Sequence, residues 1–185
     1  MKTKLKTLLT VSIMALIVVI STISNAASVG MTLSSNSKLK AGDTVTVTMS
    51  LGNIDAGNGI DTITAELNYD KNVFETVETS NLIASNSWTP TYASSTNMLT
   101  AVKNSKVTKG ETVLTITLKV KSTLSVKSTT VTLKDIVVSG GRVQDGGTGD
   151  INVNNASVTI NADSDAISKN ENTISNTTTT TNTTT

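Results

Sequence analysis

From Val29 onward the apolar residues of this chain fall at every second position, with Thr, Ser or Lys between them. A period of two sends successive side chains to opposite faces of an extended strand, so the pattern predicts half-buried strands rather than helices. The clearest run is DTVTVTMSL, Asp43 to Leu51, in which Val45, Val47, Met49 and Leu51 form one face and Thr44, Thr46, Thr48 and Ser50 the other. β-Branched Thr suits the solvated side of a pleat. The same alternation predicts strands at Val29-Met31-Leu33, Ile63-Ala65-Leu67-Tyr69, Leu114-Ile116-Leu118-Val120, Val131-Leu133 and Val158-Ile160. Turn formers separate these runs at Ala41-Gly42-Asp43, Asn53 to Gly59, Lys109-Gly110-Glu111, Gly140-Gly141 and Asp145-Gly146-Gly147.

No stretch has the 3.6-residue period that a crossover helix would need, so the strands must pair mostly antiparallel. The fold class is therefore all-β: an antiparallel β-sandwich with jelly-roll topology and about nine strands. No internal repeat of about 20 to 50 residues supports a solenoid or propeller.

The two ends of the chain depart from this pattern. Residues 1–26 carry Lys2, Lys4 and Lys6, then an apolar run from Leu8 to Ile23, then Ser24-Asn25-Ala26. That order is a signal peptide cut after Ala26, because a run of roughly 16 residues falls short of the 18 or more that a spanning helix needs. A membrane is a partner only through this segment, if it stays uncleaved. Residues 164–185 are almost entirely Asn, Ser and Thr and end in NTTTTTNTTT. They bury too little apolar surface to offset their ordering entropy, which marks a disordered tail or linker. No anchor motif follows it, which fits a protein released after export or a shortened reading frame. Between the ends, residues 27–163 make one domain, placed outside the cell, secreted or at the cell surface.

Composition narrows the chemistry. Cysteine and histidine are both absent. Without them there are no disulfides, thiolate nucleophiles, Ser-His-Asp triads or His-ligated zinc, and the domain must be held by packing and sheet hydrogen bonds. From Ala27 to Asp165 there are 11 Lys plus Arg against 13 Asp plus Glu. That balance offers no basic face for nucleic acid. A glycosidase needs only two carboxyl groups across a cleft, and Asp61, Glu66, Asp70, Glu75 and Glu78 are available in principle. They fall on strand faces and turns, so the chain is read as a binding protein and not an enzyme.

One segment is more specific than alternation. In Leu67-Asn68-Tyr69-Asp70-Lys71-Asn72-Val73-Phe74-Glu75, Tyr69 closes a strand, Asp70-Lys71-Asn72 turns, and Val73 and Phe74 return to the core. The Asp70 carboxylate can accept hydrogen bonds from the turn's own backbone. With LKAGDTVTVTMSLGNI (39–54), GIDTITAELNYDKNVFETV (59–77), ETVLTITLKVKST (111–123) and NNASVTI (154–160), it resembles the cohesin domains of clostridial scaffolding proteins. These share a sandwich superfamily with certain carbohydrate-binding modules. The resemblance implies a nine-stranded jelly roll and, as partner, a dockerin, a small calcium-loaded helical module carried by polysaccharide-degrading enzymes. Any calcium is then expected on the partner, and the domain needs no cofactor of its own. Dockerin binders of the family carry an Asn and an Asp two residues apart on the strand after the Gly-Ile step, and here Thr62 and Thr64 stand in those places. Thr62, Thr64 and Glu66 are thus the candidate partner-binding residues, without the charge an Asp would bring.

Two further constellations are candidates. Trp88 and Tyr92, four apart in SWTPTY, lie on one face of a strand and could form a two-ring glycan platform, which would make the chain a carbohydrate-binding module. Core packing is the favoured role for large rings in a domain with so few. The run Asp145-Gly-Gly-Thr-Gly-Asp150, with Asp135 upstream, offers oxygen ligands for calcium, yet its spacing matches no EF-hand and a solvated hairpin loop is preferred. A third reading is a structural or adhesive surface domain whose edge strands pair with neighbours.

Overall fold

A computed structural model describes residues 27–163, so the signal segment 1–26 and the tail 164–185 lie outside the described residues. The described chain forms ten strands: β1 (Ser28–Ser34), β2 (Thr44–Asp55), β3 (Ile60–Asn68), β4 (Leu82–Ala84), β5 (Thr89–Ala93), β6 (Met98–Val107), β7 (Thr112–Lys119), β8 (Ser128–Ser139), β9 (Asp150–Val153) and β10 (Ala156–Asn161). All pairings between them are antiparallel. One sheet has the order β1-β2-β7-β4, and the other runs β10-β8-β3-β6-β5 with β9 also paired to β8. The inward faces of the two sheets meet in a single core.

The period of two explains which residues make it. Val45, Val47 and Met49 of β2, Ile63, Ala65 and Leu67 of β3, and Leu114, Ile116 and Leu118 of β7 are all fully buried, with the intervening Thr and Ser turned outward. Tyr69, Val73 and Phe74 also enter the core, and the turn between them is closed by Asn72 N–H donating to Asp70 Oδ1 at 2.8 Å. The apolar area removed from water by such rows is the main stabilising term in a domain without disulfides.

The sequence predicts about nine strands and the structure has ten, because one long strand receives two short partners on the same side. β10 pairs with the Ser128–Leu133 half of β8, and β9 with the Ile136–Ser139 half. Between the halves, Asp135 takes a left-handed φ of 47° and makes a bulge, so that Thr64 pairs with Val137 but Glu66 with Lys134. On the far side of β8 from β3, the pairing is divided at that bulge between β9 and β10.

At one end of the sandwich two backbones come unusually close. Gly59 has a φ of 73°, and a Cβ built on Gly140 would lie 2.0 Å from the Gly59 carbonyl oxygen. Around this contact Thr148 Oγ1 donates to Gly59 O at 2.6 Å, Asn58 Nδ2 donates to Gly146 O at 2.5 Å, and Lys106 Nζ donates to Gly140 O while pairing with Asp61 Oδ2 at 2.6 Å. These bonds fix the 140–149 loop against the start of β3. Gly140→Ala is expected to destabilise the domain by about 1–3 kcal/mol through forced separation of the two chains, read as a lower urea midpoint with an unchanged slope.

Candidate functional site

β3 is the third of the five strands in its sheet path, so its outward residues lie at the middle of that sheet's outer face. Ile63, Ala65 and Leu67 point into the core, and Thr62, Thr64 and Glu66 therefore point out, each half-buried by its neighbours. Strand register then fixes what lies beside them. Across the sheet, Thr64 sits between Thr100 of β6 and Val137 of β8, and Thr62 between Val102 and Ser139. β5 extends these rows with Thr91 and Thr89, and β9 with Asn152 and Asp150. A third row sets Glu66 between Met98 and Lys134.

The chemistry of this face is mild. In the two rows through Thr62 and Thr64 only hydroxyls and aliphatic groups occur until Asn152 and Asp150 at the far side. Val102 is one of the few large apolar residues left in water, 43% exposed. Thr62 Oγ1 donates to Asp61 Oδ1 at 3.1 Å. Among the described residues none exchanges a side-chain hydrogen bond with Thr64, Thr91 or Thr100, so those hydroxyls are not used within the described fold. Thr91, Thr100, Val102 and Val137 belong to the face as much as Thr62 and Thr64 do. Sequence reasoning missed them, because register across strands is set in three dimensions; the outward positions of the β8 alternation were the one local signal.

The aromatic candidates are elsewhere. Trp88 is 2% and Tyr92 9% exposed, and Tyr69 and Phe74 are buried as well, so all four aromatic rings of the chain lie in the core. The two-ring glycan platform on Trp88 and Tyr92 is therefore corrected. A sugar stacks on an open ring face, and these faces are covered by protein. Trp88 Nε1 donates to Glu111 Oε1 at 2.6 Å, and the same oxygen accepts from Lys103 Nζ at 2.7 Å, with that ammonium 5.8 Å from the indole centroid. The polar edge of the indole and the inward-facing Lys103 thus satisfy one carboxylate between them. Tyr92 Oη donates to Asn97 Oδ1 at 3.2 Å. Burial, and after it the neighbouring Tyr69, holds the Tyr92 hydroxyl well above the ordinary range of a phenol.

The acidic candidates do not converge. Among the described residues no group of three or more Asp and Glu could hold a metal ion, so Asp135, Asp145 and Asp150 do not come together as a calcium site. Asp135 is the bulge residue, Asp145 ends a short 3-10 turn capped by Gly146 in the left-handed region, and Asp150 opens β9 at the rim of the outer face. The carboxyl groups considered for glycosidase work have separate local settings. Asp61 is paired with Lys106, Asp70 closes its turn, Glu66 faces outward, and Glu75 and Glu78 are exposed on the segment between β3 and β4. On the free edge of the same sheet, β5 contains Pro90, and Tyr92 N–H donates to Thr79 Oγ1 at 3.0 Å, which leaves fewer backbone groups open to a neighbouring strand.

A family model described as "Cohesin domain" matches residues 29–161. Among the solved structures that share this fold are two cohesin modules. A cohesin module from a family 33 glycoside hydrolase of Clostridium perfringens is similar with a TM-score of 0.61 at 10% identity, over 74% of this chain and 98% of that one. The seventh ScaB type I cohesin from Pseudobacteroides cellulosolvens is similar with a TM-score of 0.53 at 19% identity, over 73% of this chain and 94% of that one. No curated protein matches the sequence. At these identities the structural likeness is one of fold.

Proposed function

This chain belongs to the cohesin domain family, and on that premise we propose that it is a non-catalytic docking module that binds a dockerin-type helical partner outside the cell. The partner seats on the outer face of the β10-β8-β3-β6-β5 sheet, centred on Thr62 and Thr64 with Glu66 beside them. The observation that carries this is the Thr64 row, in which Thr64, Thr91 and Thr100 exchange no side-chain hydrogen bond among the described residues. Polar groups that the fold leaves unused on a flat, rigid sheet are suited to a second molecule. The signal-like segment 1–26 supports export. That one of the structural neighbours is a module of a glycoside hydrolase supports a role in gathering enzymes that act on glycans.

Titration calorimetry of the full chain with calcium-loaded dockerin modules tests the proposal. Saturable one-to-one binding that disappears when the dockerin is stripped of calcium is the expected outcome. A panel of folded, calcium-loaded dockerins that all fail to bind would count against docking by this route.

A further inference from the structure

The geometry points to Asn58-Gly59 as a self-modification site: a deamidating pair that the fold holds unreactive by tying it to the loop between β8 and β9. The inference stands apart from the docking reading and starts from the sequence. Asn58-Gly59 is the one Asn-Gly step of the chain, and Asp145-Gly146 its one Asp-Gly step. Both step types are prone to the same reaction, in which the glycine nitrogen attacks the side-chain carbonyl carbon before it. Glycine has no Cβ to crowd that approach. Folding brings the two steps together across 88 residues, with Asn58 Nδ2 donating to Gly146 O at 2.5 Å.

In this arrangement neither reacting group is free. The nucleophile, Gly59 N, has its hydrogen engaged by Ala56 O at 2.5 Å, and attack needs that hydrogen removed. The Asn58 amide, which supplies the electrophilic carbon, is held toward Gly146 O. Gly59 is itself buried, with its carbonyl accepting from Thr148 Oγ1 at 2.6 Å. The lock depends on a weakly held element: no residue from Gly141 to Asp150 is buried, and Val143 is 72% exposed. A segment with so little apolar contact opens locally, at less cost than global unfolding. In the open state base takes the Gly59 amide proton, the bond from Gly59 N to Asn58 Cγ forms, and the Cγ–Nδ2 bond breaks. The nitrogen leaves as ammonia, taking a proton from solvent. Water then opens the cyclic imide at either carbonyl and leaves aspartate or isoaspartate at position 58. Water is consumed and ammonia released, with no oxidant or reductant. The new carboxylate only accepts hydrogen bonds, so it faces Gly146 O acceptor to acceptor and cannot replace the lost donor. The loop, once released, does not reseat, and the change runs one way.

The test uses the full chain, with no ligand. It is incubated folded and in concentrated urea, at neutral and mildly alkaline pH, and deamidation at position 58 is followed by peptide mass mapping with isoaspartate detection. The expected result is reaction in urea that quickens at the higher pH, and a rate at least about tenfold slower in the folded chain. Thr148→Val, which keeps the shape and removes the hydroxyl bond to Gly59 O, is expected to speed the folded-state reaction at least about threefold. Asn58→Asp, which installs one of the products, is expected to raise amide hydrogen exchange across residues 140–149 at least about threefold while β2 and β7 exchange as before. Equal rates in the folded and urea-treated chains, no reaction in urea, a Thr148→Val chain that deamidates no faster, or an Asn58→Asp loop with unchanged exchange would each overturn the inference. The comparison of folded with urea-treated chain needs no variant, so it decides even if a substituted chain does not fold.

Discussion

Trp88→Ala is expected to lower stability by about 3–5 kcal/mol, the usual cost of emptying a buried aromatic site. The side chain is 2% exposed, so nearly all its surface is withdrawn from water in the folded state and returned on unfolding. It also supports a polar cluster. With the indole gone, Glu111 Oε1 loses its 2.6 Å donor and Lys103 the ring beside it, while both charged groups stay partly covered, at 24% and 13% exposure. Water entering the space would restore some of that solvation, which keeps the estimate within the range for a cavity alone. No disulfide backs up the core, since the chain has no cysteine. A domain of ordinary stability, about 5–15 kcal/mol, would therefore lose a large share of it. Melting followed by far-ultraviolet circular dichroism should show a drop on the order of 10–20 °C. Trp88→Phe separates the two contributions: it keeps much of the packing and removes only the N–H donor, and about 1–2 kcal/mol is expected. A Trp88→Ala chain that melts with the unchanged protein would mean that the ring is at the surface, and would reopen the glycan platform.

The same cluster shows how far the sequence can be read. Where the alternation is pure, as in β2, β3 and β7, strands, faces and core residues follow directly from the period of two. β6 escapes it. Its inward positions are Leu99, Ala101 and Lys103, and a lysine at the third breaks the apolar repeat. The position is tolerable because Glu111, just before the start of β7 in the other sheet, supplies the counter-charge, and that pairing exists only in the folded chain. β4 is too short, and β5 too interrupted by Pro90, to show a period at all. The division of the last edge into β9 and β10 depends on the bulge at Asp135, a polar residue whose left-handed backbone has no distinct local signal. The candidate site was legible in part. That Thr62 and Thr64 face outward follows from β3 alone, whereas their placement beside Thr100, Val102 and Val137 follows from pairing that alternation does not specify.

Because those neighbours are now placed, a single substitution can test the whole face. Thr64→Lys is expected to weaken dockerin binding at least about 100-fold, equivalent to about 2.7 kcal/mol. The new side chain would project from the middle of the central strand, between Thr100 and Val137. A partner closing over it must either bury an ammonium ion that has no carboxylate within its row or stand off from the sheet and give up contact on both sides. Either route removes several kcal/mol of complementarity from the centre of an interface, where single residues matter most. The fold should be unaffected, because Thr64 makes no side-chain hydrogen bond to the described chain and its stem continues to lie on the sheet surface. Thr48→Lys is the matched control. Thr48 holds a comparable place on the outer face of the other sheet, between Ser34 and Thr115, and a charge there should change affinity less than about twofold. Equal losses from both substitutions would indicate that added positive charge itself repels the partner. Loss from Thr48→Lys alone would move the docking surface to the β1-β2-β7-β4 sheet. Only the pairing of a large loss at Thr64 with none at Thr48 assigns binding to the face that β3 centres.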